Sequence, residues 1–257
     1  MTPNEPGQPP PMSTADAVTF DLEAPRVAMA IGAHPDDVEF GCGATLAKWA
    51  ASGCVVHHLV LTDGSKGTWD ADDDTAALAA KREHEQAEAA RRLSRERIGS
   101  VTFLRYVDGE LPDTRQALSR VARLIRELRP DVVLGHDPWK RYRLHPDHRN
   151  AGTLTCDAVI AARDPHFFRD HGLPPHRPRD LLLWEADVVN HVEDVTDWVD
   201  RKLDALEAHC SQFESTMKAV DEHELAAFRA RVTARLAGLG APYGLGAAEL
   251  FARVTDI

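Results

Sequence analysis

The chain has 257 residues, 43% of them hydrophobic, and a formal net charge of −11. This length suits one large α/β domain with a modest extension and supplies a sizeable core. The acidic balance argues against a nucleic-acid partner, and no run approaches the ~20 apolar residues of a membrane helix, so no membrane partner is expected.

In chain order, residues 1–24 are rich in proline and small polar residues and read as a disordered tail without chemistry. The tail lacks the basic start and apolar middle of a signal peptide, which points to the cytoplasm. The folded domain is expected over 25–257. Residues 26–33 form a short apolar run that ends in a turn signal, hence a buried strand. A helix follows over 43–51, with Gly53 suited to its end. A second strand covers 54–62, a polar loop 63–74, and a long Ala/Glu/Arg helix 75–93. Residues 101–104 make a third strand. Leu118, Val121, Leu124, Ile125 and Leu128 repeat with a helical period within 113–128. A fourth strand spans 131–135, and a helix spans 148–162. The later third is less regular. It offers a proline-rich loop over 163–179, short strands at 181–184, 188–189 and 251–254, and helices over 195–210 and 222–237.

The alternation of strand and helix specifies a single α/β domain with a mostly parallel sheet and helices on both faces. Ligands in such sheets bind beyond the carboxyl ends of the strands. Chemistry is therefore expected just after Ala33, Thr62, Leu104 and Gly135. Cys42, Cys54, Cys156 and Cys210 are scattered without a CxxC pair, so they read as reduced thiols rather than a zinc site. The basic stretch 91–97 follows acidic residues in one helix and reads as a solvated face.

Two clusters stand where the strand-end rule places chemistry. Residues 34–39 read His-Pro-Asp-Asp-Val-Glu, immediately after the first strand. His34 and Asp37, three apart on a turn bent by Pro35, can converge on one ion. Residues 145–150 read His-Pro-Asp-His-Arg-Asn. Pro146 suits the first turn of a helix and Asp147 its positive end, which leaves His145 and His148 on roughly one face. A catalytic zinc site needs three His or carboxylate ligands and an open position for water. His34, Asp37 and His148 supply them, and Asp36 and His145 remain for proton transfer and oxyanion stabilisation. A helix N-terminus favours neutral imidazole, so a charged His145 needs a carboxylate nearby, such as Asp147 or Asp108. Glu39 either supports the ligands or caps the following helix. A turn with a capping Asp accounts for either cluster alone; their joint placement after strand ends favours the metal reading. His57 and His58 read as ordinary strand histidines, and His166, His171 and His176 as solvated loop residues.

Residues 33–39, followed by Gly-Cys-Gly-Ala-Thr at 41–45, resemble the signature of the LmbE-like / PIG-L N-acetylglucosamine de-N-acetylases. The His-Pro-Asp-His at 145–148 resembles the second motif of that family. Weaker echoes lie at 61–67, 106–111, 208–212 and 244–251. The resemblance implies a Rossmann-like sheet and a zinc ion held by His34, Asp37 and His148, with Asp36 as general base and His145 as electrophilic partner. It further implies an N-acetylglucosaminyl conjugate as substrate and a homo-oligomer, a trimer or hexamer. Lys66, Arg141, Tyr142 and Arg143 are then candidates to meet sugar hydroxyls or a polar aglycone. Competing readings are a metal- or sugar-binding protein without turnover and a metal hydrolase of another amide or ester. An oxidoreductase is disfavoured, because the turn after the first strand carries no GxGxxG phosphate cradle.

Overall fold

Strand β2 (Val27–Gly32) runs through the middle of an eight-stranded sheet and sends alternate side chains into two cores. Ala28 and Ala30 face one core, and Met29 and Ile31 face the other. The computed structural model describes residues 18–257. Its remaining strands are β1 (Thr19–Phe20), β3 (Val55–Thr62), β4 (Ile98–Tyr106), β5 (Val132–His136), β6 (Asp180–Trp184), β7 (His191–Asp194) and β8 (Ala248–Thr255). Their order is β1-β7-β8-β6-β5-β2-β3-β4, and β8 alone among these runs antiparallel to its neighbours.

Helix α1 (Asp37–Ala51) covers one face of the sheet through Val38, Leu46 and Trp49. α2 (Thr75–Ser94) and α5 (Val199–Leu206) pack beside it through Ala47, Ala89, Leu93 and Ala205. The opposite face is covered by α3 (Arg115–Leu128) and α4 (Pro146–Arg163), through residues such as Val121, Ile125, Leu154 and Ala158. α6 (Glu222–Gly240) completes the set. The expected single α/β domain with helices on both faces is thus the observed one.

Several local expectations are corrected. α1 begins at Asp37, not near residue 43, so the first motif forms the opening turn of the helix. One residue inside α1, Cys42, leaves the helical conformation, with φ −147° and ψ 19°. Just beyond this kink, Glu249 accepts hydrogen bonds from the Ala44 and Thr45 N–H groups. The strand expected at 188–189 lies instead at His191–Asp194, because Glu185 turns the chain at φ 57° and Val188 is exposed. The helix expected over 195–210 is shortened to α5 by 3-10 turns on both sides. The assignment of 1–24 as tail falls outside the described residues for 1–17. From residue 19 the chain is paired, with Thr19 and Phe20 opposite His191 and Val192. Lys48, with Nζ 2.6 Å from both Asp21 and Glu193, ties this segment down.

Candidate metal centre and active site

β2 is flanked by β3 on one side and β5 on the other, so the chain crosses over in opposite directions from this point. A crevice opens there at the carboxyl ends of the strands. Into it run the turn between β2 and α1, the loop after β4, and the start of α4. A Cβ on Gly152 would stand 2.7 Å from the His136 carbonyl oxygen, so only glycine lets α4 cross the end of β5 this closely. His145 caps α4: the Asp147 N–H donates to its Nδ1 at 3.3 Å, and Pro146 occupies the first turn.

The two sequence clusters meet. His34 Nδ1 lies 3.2 Å from His148 Nε2 and 3.4 Å from Asp37 Oδ2, and His148 Nε2 lies 3.3 Å from Asp37 Oδ1. Tetrahedral bonds of ~2.0–2.1 Å to one ion place neighbouring donors roughly 3.3 Å apart. Asp37 meets His34 through Oδ2 and His148 through Oδ1, so the three side chains lie close enough to share one divalent ion, with one Asp37 oxygen left beside it. Three overlapping metal-competent groups occur among the described residues: His34, His145 and His148; Asp37, His136 and His148; and His34, Asp108 and Asp147.

The charges fit a cation. Burial opposes a charge on His34, but the carboxylates of Asp108, Asp147 and Asp37 outweigh it and raise the imidazole well above its usual range. Burial likewise opposes a charge on His148, and Asp37 raises it. Burial works to raise Asp37, yet His148 and His136 hold its carboxyl well below the usual range. The pocket thus favours positive charge where the three donors converge.

Asp108 and Asp147 are engaged mainly by His34. Both contact His34 Nε2, at 3.1 Å each, which leaves Nδ1 for an ion. Asp147 also accepts the Gly109 and Leu111 N–H groups. Burial, together with His34 and His148, lowers the His145 pKa. The shift favours the neutral ring, against a smaller raising influence of Asp147 and Asp108. With Nδ1 accepting at the helix cap, its proton sits on Nε2.

Asp36 has a left-handed backbone, φ 100° and ψ −25°, a conformation that costs a non-glycine residue on the order of 1–3 kcal/mol. Burial pushes its carboxyl up to about 6, against the lowering charge of Arg82. Glu39 does not cap the helix. It is fully buried and accepts a hydrogen bond from Gln86 Nε2 at 2.8 Å.

A cavity of about 540 Å³ opens over these groups, lined by His34, Asp36, His145, Lys66, Trp69 and Arg82 among others. Of the four residues expected to meet substrate, Lys66 lines it. Arg141 and Tyr142 face solvent, and the Arg141 N–H bonds Asp187. Arg143 is drawn inward, with Nη1 3.1 Å from His136 Nδ1 and 3.0 Å from Glu185.

His136 escapes a motif-based reading of the sequence, although it directly follows Gly135, where the strand-end rule points. The Trp184 Nε1–H and Arg143 both donate to its Nδ1 at 3.1 Å, so its proton sits on Nε2, 3.2 Å from Asp37 Oδ2. Arg82 escapes it because it lies in the middle of a helix whose spacing carries no signal. His57 is an ordinary strand histidine whose Nδ1 accepts the Ser100 N–H, whereas His58 is fully buried against Glu39. His166, His171 and His176 stand in none of the metal-competent groups.

With this geometry in view, the relatives are informative. A diacetylchitobiose deacetylase from Thermococcus kodakarensis is 39% identical over 188 residues, 72% of this chain and 69% of that protein. A 1D-myo-inositol 2-acetamido-2-deoxy-alpha-D-glucopyranoside deacetylase from Mycobacteroides abscessus is 30% identical over 231 residues, 73% of this chain and 81% of that protein. The solved N,N'-diacetylchitobiose deacetylase from Pyrococcus horikoshii superposes with a TM-score of 0.81 at 30% identity, covering 90% of this chain and 84% of that one. The PIG-L profile, described as GlcNAc-PI de-N-acetylase, matches residues 29–159, the segment that carries both motifs and every donor of the triangle, and the chain belongs to that family.

Proposed function

We propose that the chain is a zinc-dependent N-deacetylase that hydrolyses the acetamido group of an N-acetylglucosaminyl conjugate. The observation that carries this reading is the convergence of His34, Asp37 and His148, whose side-chain atoms approach one another to 3.2–3.4 Å, with a further carboxylate, Asp36, lining the same cavity. Its relatives act, by their names, on diacetylchitobiose and on an inositol glycoside of the same acetamido sugar.

The residues fit an ion and divide the work. When bound, zinc polarises a carbonyl and lowers the pKa of water to roughly 7. Asp36, raised toward neutrality by burial, accepts the proton of the attacking water at its carboxylate. The neutral His145 presents its Nε2–H to the oxygen on which negative charge develops. The protonated Asp36 then returns its proton to the leaving nitrogen as the C–N bond breaks, giving acetate and a free amine. The sequence leaves the charge of His145 open; the neutral form is favoured here because burial, His34 and His148 lower it and both nearby carboxylates contact His34. A binding protein without turnover has no need of Asp36, a second carboxylate kept off the donor triangle.

No helix among the described residues is long and apolar enough to cross a membrane. The four free cysteines fit a reducing compartment, and the exposed Trp69, Trp139, Tyr142 and Leu144 fit contact between copies. These features fit a cytoplasmic protein with contacts between copies, and the family resemblance implies a trimer or hexamer.

The test is acetate release from a panel of N-acetylglucosaminyl conjugates, including diacetylchitobiose and an inositol glycoside, with and without chelator. Acetate and free amine should appear in equal amounts, vanish with chelator and return with zinc. Full activity in metal-free protein, or no acetate from any member of the panel, overturns the reading.

A further inference from the structure

We propose that Gln86 and Glu39 form a buried positioning relay that holds Asp36 in its left-handed conformation for catalysis. This inference rests on the reading of Asp36 as the base. The Asp36 N–H donates to Gln86 Oε1 at 2.9 Å, and Gln86 Nε2 donates to Glu39 Oε1 at 2.8 Å. The Gln86 amide is thereby oriented from both ends, with its carbonyl toward the base and its amino group toward a carboxylate. Beyond Glu39 stand two imidazoles. His209 Nε2 is 3.4 Å from Oε2, and His58 Nδ1 is 3.7 Å from Oε1. Gln86, Glu39 and His209 are fully shielded from solvent, and His58 is 1% exposed.

Packing alone does not ask for these groups. A buried carboxylate is costly unless hydrogen-bonded and opposed by donors, and an apolar side chain would fill the same space between α1 and α2. The chain of polar atoms instead terminates on one backbone N–H, that of a residue at φ 100°. Arg82, one turn earlier on α2, takes a second hold. Its Nη2 donates to the Pro35 carbonyl at 2.6 Å and lies 3.3 Å from Asp36 Oδ2. Gln86 thus fixes the backbone of the base while Arg82 fixes its carboxylate. Among the described residues, Glu39 Oε2 and all four ring nitrogens of His58 and His209 find no hydrogen-bond partner. The one hydrogen bond on the Glu39 carboxylate is therefore the one from Gln86, with the His209 imidazole 3.4 Å from its other oxygen. Gln86 reaches the site through the Asp36 N–H.

The experiment measures kcat, KM, bound zinc and Tm for Gln86→Leu, for Gln86→Glu, and for Gln86→Glu combined with Glu39→Gln. Gln86→Leu should lower kcat roughly 10-fold or more, as small misplacements of a catalytic group do, with KM and zinc stoichiometry within about twofold of wild type. Gln86→Glu sets two carboxylates face to face and should also lose kcat. The combined variant again faces an amide donor with a carboxylate acceptor and should recover most of it. A Gln86→Leu protein with unchanged kcat overturns the relay. So does a loss of kcat that tracks lost zinc or lost folded protein with no recovery in the combined variant. An active Asp36→Asn protein would instead overturn the reading of the base itself, so the two failures are distinguishable.

Discussion

Arg82 Nη2 and Asp36 Oδ2 stand 3.3 Å apart, in a pair from which water is nearly excluded. Burial raises the Asp36 carboxyl to about 6 even with the guanidinium pulling it down. A bound cation at Asp37 lowers it further. A base must be deprotonated to act, so kcat/KM should fall as pH drops through this pKa, with its acid limb at or below about 6. Arg82→Gln removes a lowering influence, which raises the pKa and moves the limb toward alkaline pH. A pH–rate profile of the two proteins checks this; an unmoved limb, or one moved to lower pH, contradicts it.

Asp36→Asn separates the base from the scaffold. Asparagine tolerates positive φ and keeps the backbone N–H that Gln86 accepts. Its amide takes no proton from water. Turnover should fall by roughly 10²–10⁴-fold while elemental analysis still finds wild-type zinc. Near wild-type turnover removes the assignment.

His136 steers Asp37 from behind, through Nε2 at 3.2 Å. Partners of this kind contribute about 10–100-fold to metal affinity, and His136→Ala should weaken zinc by that order in a chelator competition. Trp184→Phe removes one of the two donors that fix the His136 tautomer, and its effect should be smaller and in the same direction. Unchanged affinity in both variants shows that Asp37 needs no such support.

Asp147→Ala tests fold and site together. Its carboxylate serves the Gly109 N–H at 2.6 Å, the Leu111 N–H at 3.1 Å and His34 Nε2 at 3.1 Å, and the residue is fully buried. Orphaned buried donors cost about 1–3 kcal/mol each. Urea unfolding should show a loss of stability of that order or more, with weaker zinc binding beside it. A variant as stable as wild type contradicts the account.

The fold was legible where hydrophobic period and strand-end placement agree. β2, β3 and β5 and the helices α2 and α3 stand within a few residues of expectation, and the His34–Asp37 turn and His148 lie within 3.2–3.4 Å of one another. Legibility failed where long-range contacts decide. Thr19 and Phe20 are too short a strand to show a period and are held by Asn190 and His191. The sequence leaves the charge of His145 open, and its lowering comes from burial beside His34 and His148, which only the fold brings near. Arg143, in a loop that looks solvent-facing, is pulled inward by His136 and Glu185. Nothing local marks Gln86 or Arg82, because their partners lie some fifty positions away.

The donor triangle is braced by bonds that do not involve the ion: His34 by Asp108 and Asp147, and Asp37 by the His34 N–H and His136. Loading and unloading of the ion then require no refolding, unlike small domains whose structure depends on zinc. Such a rigid seat with two imidazoles discriminates by shape and softness. Calcium and magnesium, which want six or more oxygen ligands, are poorly matched to it even where they are abundant. Exchange should be confined to first-row ions that accept four-coordinate nitrogen and oxygen sites.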